Sequence, residues 1–346
     1  MQTGRVEEAS LEEEVKMEER DVIIIGGGPA GLSAAIFTQL DGWSTLVLEA
    51  SWTGGQGAIA YTVSNYPGFL PGDGALLMET MQKQVTSPPP LGVGAELRYE
   101  RAVSLRAEDK VVTTEKSEYK AQVIILATGS IMQKLGVPGE ERFVSKGISY
   151  YAKRDVSQFS GKRVLVVGGG NTTAKSALLA KTMASEVILV HRRESLRTYP
   201  IMTRRLQKEG VQIWYNTELT EIKGGNQVET AVVINNKTGE QKEIKIDWIV
   251  ICVGTEPNTK LAQEAGLVMK GAFVKIDGKM MTSKAGIFAC GEITGSERHL
   301  ITAASEGASA GMAASEYLAL EKVKRGEMFE GAKNGKYADE YMAMLH

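Results

Sequence analysis

Gly26, Gly28 and Gly31 stand in the spacing Gly-x-Gly-x-x-Gly, filled by Gly27, Pro29 and Ala30. They follow the apolar run Val22-Ile23-Ile24-Ile25 at once and lead into Leu32-Ser33-Ala34-Ala35-Ile36. Residues of these types in this order hold phosphate. The first glycine lets the chain turn, the second lets a pyrophosphate approach the backbone, and the third lets a helix pack on its strand. The helix that follows aims its N–H groups and the positive end of its dipole at the anion. Glu49 ends the next apolar run, Leu46-Val47-Leu48, roughly 20 residues on, where a carboxylate accepts hydrogen bonds from ribose hydroxyls. The stretch closes with Gly54-Gly55-Gln56 and Asn65-Tyr66-Pro67-Gly68. The motif alone does not choose between FAD and NAD.

The same chemistry begins again later. Arg163-Val164-Leu165-Val166-Val167 reads as a strand, Gly168-Gly169-Gly170-Asn171-Thr172-Thr173 as a turn, and Ala174 to Met183 as a helix. The next strand, Val187 to Val190, ends in His191-Arg192-Arg193-Glu194-Ser195-Leu196-Arg197. An NAD site would carry an acid here. Guanidiniums instead suit a 2′-phosphate, because they stay charged and donate in a fixed fork. Arg192, Arg193 and Arg197 therefore point to NADPH over NADH. Two nucleotide sites in one chain predict hydride transfer from a nicotinamide to a flavin, with the electrons passed onward.

The elements that must position these residues are those of an α/β protein. Short apolar runs alternate with helical stretches, and we expect two Rossmann-like, three-layer domains, the second inserted in the first. Ser87-Pro88-Pro89-Pro90 must be a loop, because proline cannot continue a helix. Lys110 to Thr113 and Val123 to Leu126 read as strands, the latter followed by Ala127-Thr128-Gly129. Ile249 to Gly254 closes the inserted domain, Gly286 to Glu292 is another strand and turn, and a helix spans about Thr302 to Leu320. The expected division is an extension over 1–20, an FAD domain from 21–135 and 258–325, an NADPH domain over 136–257, and a tail over 326–346.

The bulk properties narrow the class. A chain of 346 residues with formal net charge −2 has room for about two domains and no field for a polyanion, which argues against nucleic acid. No run is apolar and long enough to span a membrane, and no signal peptide is visible. Two cysteines, Cys252 and Cys290, fit a reducing, cytoplasmic compartment. The three histidines, His191, His299 and His346, have no metal-ligand spacing, so no metal is expected.

Together these residues resemble the thioredoxin-reductase-like branch of the FAD-dependent pyridine nucleotide oxidoreductases. The resemblance covers about Asp21 to Leu320. It rests on Gly26-x-Gly28-x-x-Gly31, Gly54-Gly55-Gln56, Asn65-Tyr66-Pro67-Gly68, Ala127-Thr128-Gly129, Gly168-x-Gly170, His191-Arg192-Arg193 with Arg197, Gly291-Glu292, and Arg298-His299-Leu300-Ile301-Thr302. It implies FAD on the first unit, NADPH on the second, and a homodimer. It places Gln56 and Asn65 on the flavin side, and Arg298, His299 and Leu300 against the isoalloxazine.

The departures are as informative. In thioredoxin reductases a Gly-Ile-Ser-like segment leads into a Cys-x-x-Cys that sits against the flavin and relays electrons to thioredoxin. Here Gly147-Ile148-Ser149-Tyr150-Tyr151-Ala152-Lys153-Arg154-Asp155 puts Tyr151 and Arg154 at the two cysteine positions. Thiol–disulfide exchange needs a thiolate, which neither side chain provides. The family commonly has Gly-Asp at Gly291-Glu292, Gln at His299, and Ala then an acidic pair where this chain has Thr173, Ala174, Lys175 and Ser176. NADPH, NADH, another nucleotide or a second flavin then compete for the second site.

The reading is an FAD-dependent, NADPH-linked oxidoreductase with a non-thioredoxin acceptor, either a small molecule or a protein such as ferredoxin or flavodoxin. Ferredoxin- and flavodoxin-linked enzymes of this fold also lack the cysteines. The C-terminal aromatic extension of those enzymes is not clearly present here, although Phe329, Tyr337 and Tyr341 lie in the tail. A flavin-binding regulatory protein without turnover is the reading from a different class. Tyr151 and Arg154 are candidate gates to the flavin, with space filling at a helix start as the alternative for Tyr150 and Tyr151. His299 either bonds the flavin or caps a helix. Cys290 and Cys252 read as small hydrophobes.

Overall fold

The computed structural model describes residues 17–327. Over these, the chain up to Gly55, Met78–Gly129 and the chain from Thr259 make one compact unit, and Gln56–Leu77 with Ser130–Asn258 make the other.

The first unit is built on one sheet. Its strands lie in the order Glu96–Tyr99, Thr45–Glu49, Glu18–Ile25, Glu118–Leu126, Val111–Thr114, Ala102–Arg106, and Ile287–Ala289 pairs with the far end of Glu118–Leu126. The strands around Glu18–Ile25 are parallel, with Ile24 beside Val47 on one side and Ile125 on the other. Parallel strands are covered on both faces, which explains their unbroken apolar runs. Ile23, Ile25, Leu46, Leu48, Ile124 and Leu126 share one buried cluster, while Val22, Ile24, Val47, Val123 and Ile125 are fully buried between them in sequence. The helices Pro29–Leu40 and Leu300–Lys324 pack closely on each other, so closely that a Cβ at Gly307 would lie 2.0 Å from the Ala30 carbonyl oxygen.

In the second unit five strands run parallel in the order Gln212–Tyr215, Glu186–His191, Arg163–Gly168, Trp248–Cys252, Ile148–Ser149. One face is covered by helix Asn171–Lys181, whose Ala174, Ala177 and Ala180 meet Val164, Val166, Leu189 and Val250. The other is covered by an antiparallel meander, Thr217–Lys223, Thr230–Asn235 and Gln241–Lys245, which contributes Leu219, Ala231, Val233 and Ile244 to the core with Leu165, Val167, Ile188 and Ile251. The unit thus has three layers, the third made of strands, a feature the sequence patterns did not announce.

Several boundaries differ from expectation; Ser130–Leu135 and Asn258, expected in the first unit, group with the second. The extension expected to run through Arg20 gives way to strand by Glu18, and Glu18, Glu19 and Arg20 pair with Tyr119, Lys120 and Ala121. These charges are tolerated in a strand because they meet partners: Arg98 donates to Glu18 at 2.9 Å, and Arg20 donates to Glu96 at 2.7 Å. Gln56–Leu77 groups with the second unit, although expectation placed it with the first. Lys153 holds it there, with Nζ donating to the carbonyl oxygens of Ala60 at 3.0 Å and Ala58 at 3.4 Å and paired to the Asp73 carboxylate. Such a tie is set by side chains far apart in sequence, which no local pattern reports. The rest of the extension, and Phe329, Tyr337 and Tyr341 of the tail, lie outside the described residues.

Candidate functional site

The glycine turn of the first unit is shaped by close backbone approach. Gly26 has φ +115°, and a Cβ on it would fall 2.2 Å from the Ala127 carbonyl oxygen, just before Thr128 and Gly129. Gly31 packs against the Gly26 carbonyl in the same way, whereas a Cβ at Gly28 would meet nothing within 4 Å. Open space therefore lies over the backbone at the position where a phosphate would approach. Helix Pro29–Leu40 starts there with proline in its first turn and no side-chain cap at Gly28. Its first N–H groups are left for a ligand or water.

Glu49 ends strand Thr45–Glu49 and takes two backbone bonds. Its Oε2 accepts from Gly27 N at 2.8 Å, and Oε1 accepts from Ser51 N at 2.9 Å. Each oxygen keeps a lone pair for a ribose hydroxyl. Gly55 lies against Gly28, and Gly291 against Ala30. Glu292 Oε2 is buried without a hydrogen-bond partner among the described residues. An orphaned buried carboxylate oxygen needs a donor, and the hydroxyls of a bound dinucleotide would supply one. These residues fit FAD. Arg298 and His299 are exposed at the start of helix Leu300–Lys324; His299 takes the N-cap position, but its side chain makes no capping bond.

Glu306 was missed by the sequence reading. It sits two turns into that helix and accepts from Gly291 N at 2.8 Å and Thr294 Oγ1 at 3.0 Å, fixing the turn that carries Glu292. The only sequence signal was an acid on an otherwise alanine- and glycine-rich helix face.

In the second unit Gly168 has φ +145°, and a Cβ there would fall 2.3 Å from the Cys252 carbonyl oxygen. The Thr173 hydroxyl accepts from Gly170 N and donates to Cys252 O, each at 3.2 Å. The extra bulk where the family has alanine is thus satisfied internally. A Cβ at Gly170 would meet nothing within 4 Å, again leaving space over the turn. Asn171 spends its Oδ1 on Thr198 Oγ1 at 2.7 Å and Tyr199 N at 3.4 Å, and Arg197 N donates to Gly169 O at 2.7 Å. The arginine loop is thereby pinned to the glycine turn. Asn236 and Asn216 donate to the carbonyls of Arg192 and Arg193, while the three arginine side chains are exposed.

His191 is buried beneath the turn, since a Cβ at Gly169 would lie 2.1 Å from its ring. Burial holds its pKa below the usual 6.5, and the Arg197 and Arg193 charges push the same way. Its Nε2 has no partner among the described residues.

A cavity of about 390 Å³ opens in the same unit, lined among others by Tyr61, Tyr150, Thr172, Lys175, Arg197 and Cys252. Gln56, Gly170 and Asn171 also line it, whereas Gly168, His191, Arg192 and Arg193 do not. Asn65 groups with this unit but is exposed and does not line the cavity. Buried Ser176 links two of the walls, its Oγ 3.2 Å from the Tyr61 hydroxyl and accepting from Cys252 Sγ at 3.5 Å. Burial pushes the Cys252 thiol up to about 11. It raises Cys290 as well, with Glu306 adding to the effect.

The stretch Tyr150 to Asp155 is tied down by hydrogen bonds and a ring contact. Tyr150 donates to Glu140 Oε1 at 2.7 Å, and that buried carboxylate also accepts from Leu135 N and Gly136 N. Tyr151 takes the N-cap position of helix Ala152–Asp155, with the Arg154 guanidinium 5.0 Å from its ring centroid. Arg154 Nε in turn donates to Asp155 at 2.8 Å. Among the described residues no group of three or more His, Cys, Asp or Glu side chains is placed to hold a metal, and no helix is long and apolar enough to cross a membrane.

Residues 20–308 match the pyridine nucleotide-disulphide oxidoreductase family. A thioredoxin reductase of Treponema pallidum is 36% identical over 303 residues, covering 86% of this chain and 97% of the relative. A 34.2 kDa protein in the rubredoxin operon of Clostridium pasteurianum is 35% identical over 301 residues, covering 86% and 97%. Among solved structures, a Lactococcus lactis thioredoxin reductase superposes with a TM-score of 0.77 at 33% identity over 87% of this chain and 99% of that one. The chain therefore belongs to the pyridine nucleotide-disulphide oxidoreductase family, as a thioredoxin-reductase-like flavoprotein oxidoreductase with two Rossmann-type units.

Proposed function

We propose that the protein binds FAD on its first unit and NADPH on its second, takes hydride from NADPH, and delivers electrons to an acceptor other than thioredoxin. One contrast carries this reading. The first unit's second strand ends in a carboxylate, Glu49, already ordered by Gly27 N and Ser51 N. The second unit's second strand leads into Arg192, Arg193 and Arg197. A carboxylate suits free ribose hydroxyls, while a guanidinium cluster suits a 2′-phosphate.

When bound, FAD supplies acceptance of a hydride and its release in one- or two-electron steps. The chain's own residues do the rest. The Gly26–Gly31 turn and the first N–H groups of helix Pro29–Leu40 hold the pyrophosphate; Glu49 and Glu292 take ribose and ribityl hydroxyls. The Gly168–Gly170 turn, Asn171 and Thr172 hold the second dinucleotide, with neutral His191 supporting the turn from below. Tyr151 and Arg154 stand where a relay dithiol would be and control access. Arg298, His299 and Leu300 are assigned to the isoalloxazine side. The acceptor is a small molecule or an electron-carrier protein such as ferredoxin or flavodoxin, and a homodimer is the expected assembly, as in the family.

An anaerobic titration of the FAD-loaded protein tests this, following flavin bleaching. Stoichiometric bleaching by NADPH and slow or no bleaching by NADH is expected. No bleaching by either, with bleaching by reduced ferredoxin, would move the second site away from nicotinamide chemistry.

A further inference from the structure

The cavity of the second unit is lined by two charged side chains, Lys175 and Arg197, both cationic, and its lining contains no carboxylate. Arg197 belongs to the arginine loop already assigned. Lys175 does not. Resting on the reading of this unit as the NADPH site, we propose that Lys175 is a phosphate-binding residue, seated under the dinucleotide's pyrophosphate and separate from the arginines that take the 2′-phosphate.

Placement carries the argument. Helix Asn171–Lys181 begins at the glycine turn, and Lys175 lies one turn in, on the same face as Asn171, because residues four apart are neighbours on a helix. Gly170, Asn171, Thr172 and Lys175 line one wall of the cavity. The space over Gly170 is clear to 4 Å, so an anion resting on the turn falls within the sweep of a lysine stem. Lys175 is exposed, so its ammonium can reach into the cavity. The neighbouring Ser176 is neutral and spends its hydroxyl on Tyr61 and Cys252. Lys175 and Arg197 thus leave the charged part of the cavity lining wholly cationic.

Calorimetric binding to the FAD-loaded protein separates the two anion subsites, with NADP⁺ as one probe and adenosine 2′-monophosphate as the other. Lys175→Ala is expected to weaken NADP⁺ roughly tenfold, as for loss of a charge-assisted contact, and to leave adenosine 2′-monophosphate unchanged. Lys175→Arg should retain most of the affinity, and Lys175→Glu should weaken NADP⁺ beyond the alanine variant. An unchanged melting temperature, expected for an exposed position, shows that the variants fold. Wild-type affinity for NADP⁺ in Lys175→Ala overturns the assignment, and so does equal weakening of both probes. Wild-type protein that binds neither probe overturns the NADPH reading itself and this inference with it.

Discussion

The Arg154 guanidinium lies 5.0 Å from the centroid of the Tyr151 ring, so these two residues, three apart in sequence, contact each other. A cation over an aromatic face is attracted by the ring's quadrupole. Neither side chain is a thiol, so this contact holds a shape and exchanges no disulfide.

The first prediction concerns that pair. NADPH-dependent reduction of thioredoxin by the FAD-loaded wild type should stay at background. On the proposed role of Tyr151 in access to the flavin, Tyr151→Ala should alter the visible flavin spectrum and the rate with an artificial acceptor. Unchanged spectrum and turnover would reduce Tyr151 to space filling.

Two glycines separate folding from binding. Gly28→Ala adds a methyl that meets no protein atom within 4 Å, so the melting temperature should hold while FAD retention on a desalting column falls. Gly307→Ala drives a methyl to 2.0 Å from Ala30 O, and overpacking of this kind typically costs about 1–3 kcal/mol. It should lower the melting temperature first. A stable Gly307→Ala protein would show that the two helices part easily.

A pH dependence follows from His191. Its pKa is lowered in the folded state, so below 6.5 the unfolded chain binds the proton more readily. Stability contributed by the neutral ring is present above 6.5 and is lost as pH falls through that value toward the folded pKa. Thermal melts between pH 7 and pH 5 should fall more steeply for wild type than for His191→Gln. Parallel curves would assign the acid sensitivity to other groups.

The cysteines should be silent. With Cys252 pushed up to about 11 and Cys290 raised by burial, neither offers appreciable thiolate at neutral pH. A thiol-reactive chromophore should report almost no reaction on the native protein, and two thiols after denaturation. Rapid native labelling at Cys252 would mean that the Ser176 contact opens.

Removing Glu49 tests the first site directly. Glu49→Ala leaves Gly27 N and Ser51 N without their acceptor, and each lost bond to a charged group is worth about 1.5–3 kcal/mol. The purified variant should be colourless or nearly so; a fully yellow protein would remove Glu49 from the ribose role.

The sequence by itself determined the two nucleotide-binding units, because a β-branched run, a glycine turn and an alanine-rich helix are local features whose chemistry is written in consecutive residues. Val22 to Glu49 and Arg163 to Arg197 were legible for that reason. It also determined that Cys252 and Cys290 are too far apart in sequence to form a Cys-x-x-Cys, since that is a matter of identity alone. Tertiary structure decided what depends on residues distant along the chain. The meander's place against the Leu165 and Ile251 face, Glu306 beneath the Gly291 turn, Lys153 on the Ala58 and Ala60 carbonyls, and Ser176 between Tyr61 and Cys252 are long-range pairings. Hydrogen bonds and burial fix them only once the sheets have brought those segments together, and a linear pattern carries no distance between its ends.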